Sequence, residues 1–447
     1  MSRAREFATE FGGAGGALAA MVLLPAVVYY LWICVEFYGG ALQFPRTALL
    51  AHLAHAVPTW KATIVYLVWL AWQALLAWIG PGPSGQGALL PDGHSRLTYR
   101  YNGLFAWYLT LVAATALHVT GVFPLSTLYA EFGPLVTVAT IVATALAALC
   151  YVGGRLSGRT NRASGNPIYD FFMGSVLNPR IGSFDIKFFV ELRPGIMLWF
   201  LLSAAMLAQQ RAAYGLVTTS MLLVVFYHAC YANACFKGEE CVPMSMDIAY
   251  ENFGWMLSFG NLVWVPFVYC LQAYYVLTIT PADIPRGFAL PMLVLHMVGY
   301  WVFDTANSQK DYFRNEGRAL RDAFPRLPWG RLRHPETLST ARGTPLLVSG
   351  WWGQARHMNY TGDLLMAWTW GLTCGFGSVI PYVYAVFLTL LLLHRLRRDE
   401  RECRLKYGTD CRPRRVLTGL REPCRSAGRR RARKATAARQ NTNGSIR

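Results

Sequence analysis

The chain has 447 residues, of which 54% are hydrophobic and only 15% are charged. A typical soluble domain has about 25% charged residues, so this composition excludes an ordinary soluble protein and a disordered one. The net charge of +18 is uneven, because residues 412–447 contain twelve Lys or Arg and one Glu and so contribute +11 of it. In a hydrophobic protein such a balance indicates membrane orientation rather than nucleic-acid binding, and we expect no nucleic-acid partner.

Ten apolar runs are candidate membrane spans, since a helical span uses about 20 mostly apolar residues. The predicted fold class is therefore an all-α polytopic membrane protein with about ten transmembrane helices. The chain then divides into a polar N-terminus over 1–14, a membrane domain over 15–410 and a basic, disordered tail over 411–447. The predicted spans are 15–37, 59–80, 104–122, 131–153, 195–210, 215–235, 253–278, 287–303, 362–378 and 380–396.

Basic clusters follow predicted spans four, eight and ten. With ten spans, all three clusters lie on the same side as both termini, and the positive-inside rule makes that side cytoplasmic. The polar residues of the C-terminal half gather on this side, so we expect a cytoplasm-facing pocket there. The clusters are Arg155, Arg159 and Arg162; Lys310, Arg314, Arg318 and Arg321; and Arg395, Arg397, Arg398 and Arg401.

The first polar segment of the C-terminal half runs from Asn307 to Arg314. If span eight continues as a helix, Lys310 and Arg314 are four residues apart and share a face. Two cations on one face can bind a phosphate. From spacing alone, the favoured interpretation is the basic flank of a span, with long side chains that reach the interface.

The second segment, residues 346–363, combines two Trp with polar and ionisable side chains. Indole faces stack on planar rings, and Asn and Arg hydrogen-bond amides and phosphates. An interfacial aromatic belt accounts for the Trp residues. It does not account for the density of Arg356, His357, Asn359 and Asp363, which favours a site for a polar ligand.

The third segment continues span ten as a predicted helix. Steps of three or four residues place Arg395, Asp399, Cys403, Lys406 and Tyr407 on one helical face. This pattern has two interpretations: ion pairs within the helix, or a carboxylate directed at a ribose or carboxamide of a ligand.

An acid also enters span seven, where Tyr250 and Glu251 precede an apolar run. Ionisable groups inside a membrane are candidates for function, although Glu251 can equally lie at the interface. We expect no metal site. His228 and three nearby cysteines have a spacing that fits no common metal site, so apolar packing is the simpler interpretation.

Several motifs together resemble the sterol reductase family, which includes delta-14 and 7-dehydrocholesterol reductases and the membrane domain of the lamin B receptor. The resemblance covers residues 100–410, with the motifs in order and at family spacing. The motifs are Gly165–Phe172 with Leu177–Arg180, Glu191–Gly195, Trp264–Phe267, Ala306–Lys310, Trp352–Asp363, and Arg398–Glu400 with Lys406–Gly408.

The resemblance implies a ten-span helical bundle in the endoplasmic reticulum membrane, with both termini in the cytoplasm. It also implies NADPH as cofactor, bound mainly by residues 305–410, and a sterol substrate in contact with membrane lipid. Supporting roles fall to Arg356, His357, Arg395 and Lys406. The NADPH contacts carried over by motif are Lys310, Arg314, Leu347, Trp352, Asn359, Tyr360, Asp399, Cys403 and Tyr407.

The implied reaction is reduction of a sterol ring double bond. An acid protonates one alkene carbon, and the cofactor supplies hydride to the resulting cation, which aromatic faces can stabilise. Candidate proton donors are Tyr250, Glu251, Tyr360 and Asp363. The motifs favour the delta-14 bond over the delta-7 bond of 7-dehydrocholesterol, with a side-chain sterol reductase as a third possibility.

Two other classes of protein remain as alternatives. One is a non-catalytic membrane scaffold like the lamin B receptor, and the other is a membrane methyltransferase. Lys310 and Arg314 favour NADPH over the methyl donor, which carries no phosphate.

The chain departs from the family after Gly408, and Arg414 stands where the family has a cofactor-contacting Tyr. The departure suggests either a shifted reading frame or a divergent tail that binds anionic lipid.

Overall fold

The computed structural model describes residues 10–407 except 45, 91–92, 162, 315–326 and 340–344, with side chains as far as Arg401. These residues form two compact units. The first unit contains residues 10–301 and 362–394, and the second contains residues 302–314, 327–339, 345–361 and 395–407.

Within these residues, eight helical segments are long and apolar enough to cross a membrane. A ninth apolar helix, Gly103–Val119, is shorter, and Met358–Thr373 has 16 residues. Each of the ten predicted spans coincides with one of these helices, which confirms the predicted class. The eight segments are Gly13–Tyr38, Trp60–Ile79, Phe132–Leu156, Ile186–Tyr214, Thr219–Lys237, Trp255–Thr278, Arg286–Arg314 and Ile380–Arg401.

Two of the segments form the centre of the first unit. In the most apolar stretch of Ile186–Tyr214 and of Trp255–Thr278, 72% of the residues are buried, against 22% in Trp60–Ile79. Both central segments are broken. Helix Ile186–Leu192 is followed by Pro194–Tyr214; the other consists of Trp255–Phe259, a π-helical turn Gly260–Trp264, Val265–Val268 and Leu271–Thr278.

The remaining elements are short. Three two-stranded antiparallel sheets pair Ser84–Leu89 with Arg96–Arg100, Arg180–Ile181 with Phe184–Asp185, and Thr337–Leu338 with Leu346–Leu347. The last segment consists of the 3₁₀ turn Ile380–Tyr382 and helix Val383–Tyr407. The other short helices are Thr47–Ala51, His52–Ala56, Ser126–Ala130, Pro167–Met173, Glu239–Met244, Met246–Ala249 and Trp351–Gln354.

The Glu191–Gly195 motif joins the two central segments. Asn261 in the π-helical turn donates through Nδ2 to Glu191 Oε2 at 2.7 Å. Arg193 is fully buried and donates to Glu239 Oε1 at 2.6 Å. A buried ion pair of this kind specifies one arrangement, because breaking it leaves a charge in the interior. The motif that carries the family resemblance therefore has a structural role here.

Gly195 allows the closest approach between these segments. A Cβ at this position would overlap the carbonyl oxygen of Asn261, and backbone cannot move aside as a flexible side chain can. We expect Gly195→Ala to destabilise the protein by about 1–3 kcal/mol, the usual cost of overpacking. Gly153→Ala is the matched control, because a Cβ at Gly153 meets nothing within 4 Å. Thermal unfolding in detergent measures both, and equal melting temperatures would contradict the prediction.

Candidate active site

The end of helix Arg286–Arg314 carries the first predicted cations. The helix continues through both Lys310 and Arg314, as predicted. The Lys310 ammonium lies 4.6 Å from the centre of the Trp352 ring, within the range of a cation–π interaction. Arg314 is exposed at the helix end. The first and second predicted segments therefore meet in the second unit.

Both tryptophans of the second segment are anchored by their indole nitrogens to helix Arg286–Arg314. Trp351 Nε1 donates to Thr305 Oγ1 at 2.8 Å, and Trp352 Nε1 donates to the carbonyl of Ala306 at 2.9 Å. Trp351 is buried, while Trp352 keeps part of its surface. The anchoring bond orients the partly exposed Trp352 ring, which can stack on a planar ligand.

Gln309 holds the turn that precedes these tryptophans. Its Oε1 accepts the Trp351 backbone N–H at 2.9 Å, and its Nε2 donates to the Trp329 carbonyl at 2.8 Å. Gly350 has φ +60°, and a Cβ there would overlap the Gln309 amide. The turn therefore requires glycine both for its conformation and for the approach of Gln309, a residue that the sequence did not single out as a site residue.

We expect Gln309→Ala to weaken cofactor binding although Gln309 is not a predicted cofactor contact. Loss of the amide leaves the buried Trp351 N–H without its acceptor, which costs about 1–3 kcal/mol and loosens the turn beside Trp352. The expected result is a raised KM for the cofactor, by about tenfold, with a smaller change in kcat. Gln86→Ala, in the exposed hairpin, is the control, and an unchanged cofactor KM in Gln309→Ala would contradict the prediction.

The third segment meets the second through an Asp–His pair. His357 Nε2 lies 3.3 Å from Asp399 Oδ2, and the His357 ring stacks on Tyr360 with centres 4.6 Å apart. Asp399 also interacts electrostatically with Lys310 and Arg356. His357 is buried, whereas the Asp399 side chain is 44% exposed. The pair thus positions a partly exposed carboxylate among cations.

Asn359 carries a buried polar atom suited to a ligand. Its Nδ2 donates to Asn307 Oδ1 at 3.1 Å, which sets the orientation of the amide. Its Oδ1 is buried and accepts no hydrogen bond from the described residues. Since buried polar atoms are nearly always paired, this oxygen is available to a donor on a ligand. Asn307, which orients it, was noted in the sequence only as part of a motif.

The other predicted contacts have less structural detail. Leu347 is half-buried and pairs with Thr337 in a short sheet. Arg395 is half-buried in helix Val383–Tyr407. This helix includes the backbones of Cys403, Lys406 and Tyr407, as predicted, but their side chains lie outside the described residues, and so does Arg414.

The first unit contains a different polar group, around Asp363. This residue is buried in helix Met358–Thr373 and interacts electrostatically with Tyr231 and Tyr384. Tyr231 was not among the predicted residues. Its polarity within the apolar helix Thr219–Lys237 was the available signal, but spacing does not show which helix faces it.

Aromatic rings surround this polar group. Trp370 stacks on Tyr384 with ring centres 4.8 Å apart, and the centres of Tyr231 and Trp370 are 5.4 Å apart with the rings nearly perpendicular. Trp199 lies 5.6 Å from Tyr231 and 5.5 Å from Trp370. The negative ring faces attract cations, so the first unit combines an acid, two phenols and rings that can stabilise positive charge.

Tyr250 and Glu251 lie in other surroundings. Tyr250 is 56% exposed. Glu251 is buried beside Lys187, whose ammonium donates to the Glu251 and Ile248 carbonyls at 2.7 Å. The cation thereby satisfies backbone oxygens near the end of helix Met246–Ala249. This stretch has the features of a structural cap.

Comparison with known proteins supplies the family. The profile of the ergosterol biosynthesis ERG4/ERG24 family matches residues 5–414. The chain belongs to this family. A delta(14)-sterol reductase of Methylotuvimicrobium alcaliphilum is 44% identical over 90% of this chain and 92% of its own length. A delta(14)-sterol reductase of Dictyostelium discoideum is 40% identical over 91% of this chain and 89% of its own length.

The family also includes reductases of a different bond. A delta(24(24(1)))-sterol reductase of Aspergillus fumigatus is 40% identical over 89% of this chain and 88% of its own length. The predicted family, membrane class and enzyme class, a reductase of a sterol double bond, are confirmed. Such a reductase uses a nicotinamide cofactor and meets its sterol substrate in a membrane.

Proposed function

We propose that this protein is an NADPH-dependent delta-14-sterol reductase. The observation that carries the proposal is the gathering of Lys310, Trp352, Asn359, His357 and Asp399 in the second unit. These residues come from three separate segments of the chain. Together they offer a cation, an indole face, an amide oxygen and a carboxylate, which match the phosphate, ring, carboxamide and ribose of a nicotinamide dinucleotide.

The buried Asn359 oxygen tests whether the cofactor fits. It accepts nothing from the described residues, and a carboxamide N–H or a ribose hydroxyl supplies the donor it lacks. Asp399 is the second acceptor, held by His357 at 3.3 Å. Acceptors of this type suit ribose hydroxyls, and the Trp352 ring suits a planar base. The residues present therefore fit such a cofactor.

The choice of NADPH over NADH rests on Lys310 and Arg314. NADPH differs by one phosphate on a ribose, and charge-assisted hydrogen bonds to phosphate are about twice as strong as neutral ones. Lys310 is oriented by its contact with Trp352, and Arg314 follows one turn later on the same helix. We propose that both bind this phosphate.

For the proton we propose Asp363, acting through Tyr231. When bound, NADPH supplies a hydride, so that hydride and proton together saturate the double bond and leave NADP⁺. An alkene accepts hydride only after protonation, which requires a positioned acid. The Tyr231 O–H bond breaks as the alkene electron pair forms the new C–H bond. The Tyr231 oxygen then takes the Asp363 proton, and water restores that proton.

The surroundings of Asp363 support this role. The carboxyl group is buried and interacts electrostatically with Tyr231 and Tyr384. The rings of Trp199 and Trp370 pack against Tyr231 and can stabilise the cation that protonation creates. Of the four candidate donors, Asp363 is the one linked electrostatically to Tyr231, and through Tyr231 to these rings.

The delta-14 bond is the first choice because the relatives from Methylotuvimicrobium and Dictyostelium are delta(14)-sterol reductases and the chain's motifs favour that group. A delta(24(24(1))) bond, ranked behind the delta-7 bond from the sequence alone, becomes the main competitor, since relatives of that kind reach 40% identity. We also propose the endoplasmic reticulum as the membrane of a eukaryotic host, with both termini cytoplasmic, since the basic clusters follow spans that end on one side.

A microsomal assay tests the function. The chain is expressed as given and supplied separately with a delta-8,14 sterol, a 5,7-diene sterol and a delta-24(24(1)) sterol, each with NADPH or NADH. We expect a mass gain of two hydrogens on the delta-8,14 sterol with NADPH. Turnover of only another sterol would reassign the bond. If neither the chain with its own tail nor a version with a family-like ending in place of 411–447 reduces any sterol, the scaffold alternative is favoured. Methyl transfer from S-adenosylmethionine would instead favour the methyltransferase.

A further inference from the structure

Two fully buried histidines lie in the first unit, on helices Thr219–Lys237 and Arg286–Arg314. They are His228 and His296, and neither has exposed surface. His228 Nδ1 shares a hydrogen bond of 2.9 Å with Ser203. The Nε2 atom of His228 and both ring nitrogens of His296 have no hydrogen-bond partner in the described part of the chain.

These histidines adjoin the aromatic rings that surround the proposed proton donor. The His228 ring lies 4.9 Å from Trp370 and 4.8 Å from Trp199, the two indoles that also contact Tyr231. His228 and Tyr231 are three residues apart, so they are neighbours on one helix. His296 stacks on Tyr227 at 4.0 Å and interacts electrostatically with His228.

Unpartnered imidazole nitrogens in such a place indicate a ligand. Buried polar atoms are nearly always hydrogen-bonded, because a buried donor or acceptor without a partner lowers the stability of the fold. A neutral imidazole presents one donor and one acceptor, and a hydroxyl group presents the same pair. By definition a sterol carries a hydroxyl group at position 3, and the rest of its skeleton is apolar. The chemistry of the two histidines therefore matches the polar end of a sterol.

We propose that His228 and His296 bind the 3-hydroxyl group of the sterol. The assignment rests on the proposed function and deepens it, because a rigid tetracycle held at its hydroxyl end can present only certain ring carbons to Tyr231. His228 and His296 then determine specificity: they select free sterols over sterols without the hydroxyl group, and they set which double bond reaches the acid.

The test compares a 3β-hydroxy delta-8,14 sterol with its 3-deoxy counterpart, which lacks only the hydroxyl group. For the unmodified protein we expect the KM of the deoxy sterol to be higher by about tenfold or more, the loss of one or two hydrogen bonds. His228→Asn keeps a polar group where Nδ1 met Ser203 but removes Nε2. His296→Phe keeps the stack on Tyr227 but removes both nitrogens.

We expect each of these variants to raise the KM of the hydroxy sterol by about tenfold and to leave that of the deoxy sterol unchanged. Turnover of the deoxy sterol shows that the variant is folded. His228→Gln, whose longer amide reaches the position of Nε2, should recover the preference for the hydroxyl group, and His55→Asn, at an exposed histidine, should not alter it.

Equal KM values for the two sterols in the unmodified protein would overturn this assignment and leave the reductase activity standing. The assignment is also overturned if His228→Asn and His296→Phe raise the KM of the hydroxy sterol and that of the deoxy sterol equally. The histidines would then contribute to packing or bind water. If the unmodified protein reduces no sterol at all, the proposed function fails, and the assignment fails with it.

Discussion

Replacing Asp363 with Asn is expected to abolish sterol reduction while NADPH binding survives. The amide has nearly the same shape but cannot supply the proton, and general acid catalysis contributes about 10²–10⁴-fold to a rate. Asp363 is buried and interacts electrostatically with Tyr231 and Tyr384, which links the acid to the aromatic group. Turnover is measured by mass spectrometry, and cofactor binding by titration of the purified protein with NADPH.

Two further variants identify the path of the proton. Tyr231→Phe removes the hydroxyl group through which the proton is proposed to pass, and we expect a loss similar to that of Asp363→Asn. Glu251→Gln tests the competing donor, and we expect it to retain turnover, because Glu251 lies beside Lys187. If Glu251→Gln abolishes turnover and Asp363→Asn does not, the donor assignment is reversed. If Asp363→Asn also loses NADPH binding, the substitution has disturbed the fold, and Asp363 is no longer supported as the proton donor.

The second large effect is expected at Lys310. We expect Lys310→Ala to raise the KM for NADPH by about 10–100-fold, since a hydrogen bond to a charged group contributes about 1.5–3 kcal/mol. The KM for NADH should change far less, because NADH lacks the phosphate. The preference for NADPH would then largely disappear. Steady-state kinetics with NADPH and with NADH measure the two KM values and hence this preference.

Arg331→Ala is the matched control for this experiment. The Arg331 guanidinium lies 5.2 Å from the centre of the Tyr312 ring in the same unit, so its removal also deletes one cation and one cation–π contact. We expect little change in the ratio of the two KM values. An equal shift in both variants would show a general electrostatic effect of the basic surface, and an equal loss of NADH and NADPH binding in Lys310→Ala would assign Lys310 to packing against Trp352.

The predicted site residues differ in what could be known about them in advance. Lys310 and Arg314 were paired from their spacing, since residues four apart share a helical face, and the helix does continue to Arg314. The contact of Lys310 with Trp352 joins residues 42 positions apart and follows from no local pattern. The same is true of Asp399, whose partner His357 lies on another element.

The proton donor could not be identified from the sequence alone. Asp363 attracted notice as part of a dense polar segment, and Glu251 because an acid that enters an apolar run is expensive in a membrane. Both were candidate proton donors. They differ only in their neighbours: backbone carbonyls bound by Lys187 around Glu251, and phenols and indoles around Asp363. Tyr231 and His296 were not singled out from the sequence, and His228 was considered only as a metal ligand, because spacing does not show which neighbouring helix a polar residue of an apolar helix faces.

The sequence by itself determined the membrane class, the positions of the apolar helices and the family, because these depend on composition, on the length of apolar runs and on local motifs. Hydrophobicity along the chain is a one-dimensional quantity, and a bilayer responds to it directly. Only the tertiary structure decided which polar residues meet. Helices in a bundle present side chains around their whole circumference, so partners such as Tyr231 and Asp363, more than 100 positions apart, are set by how helices pack and not by the order of residues.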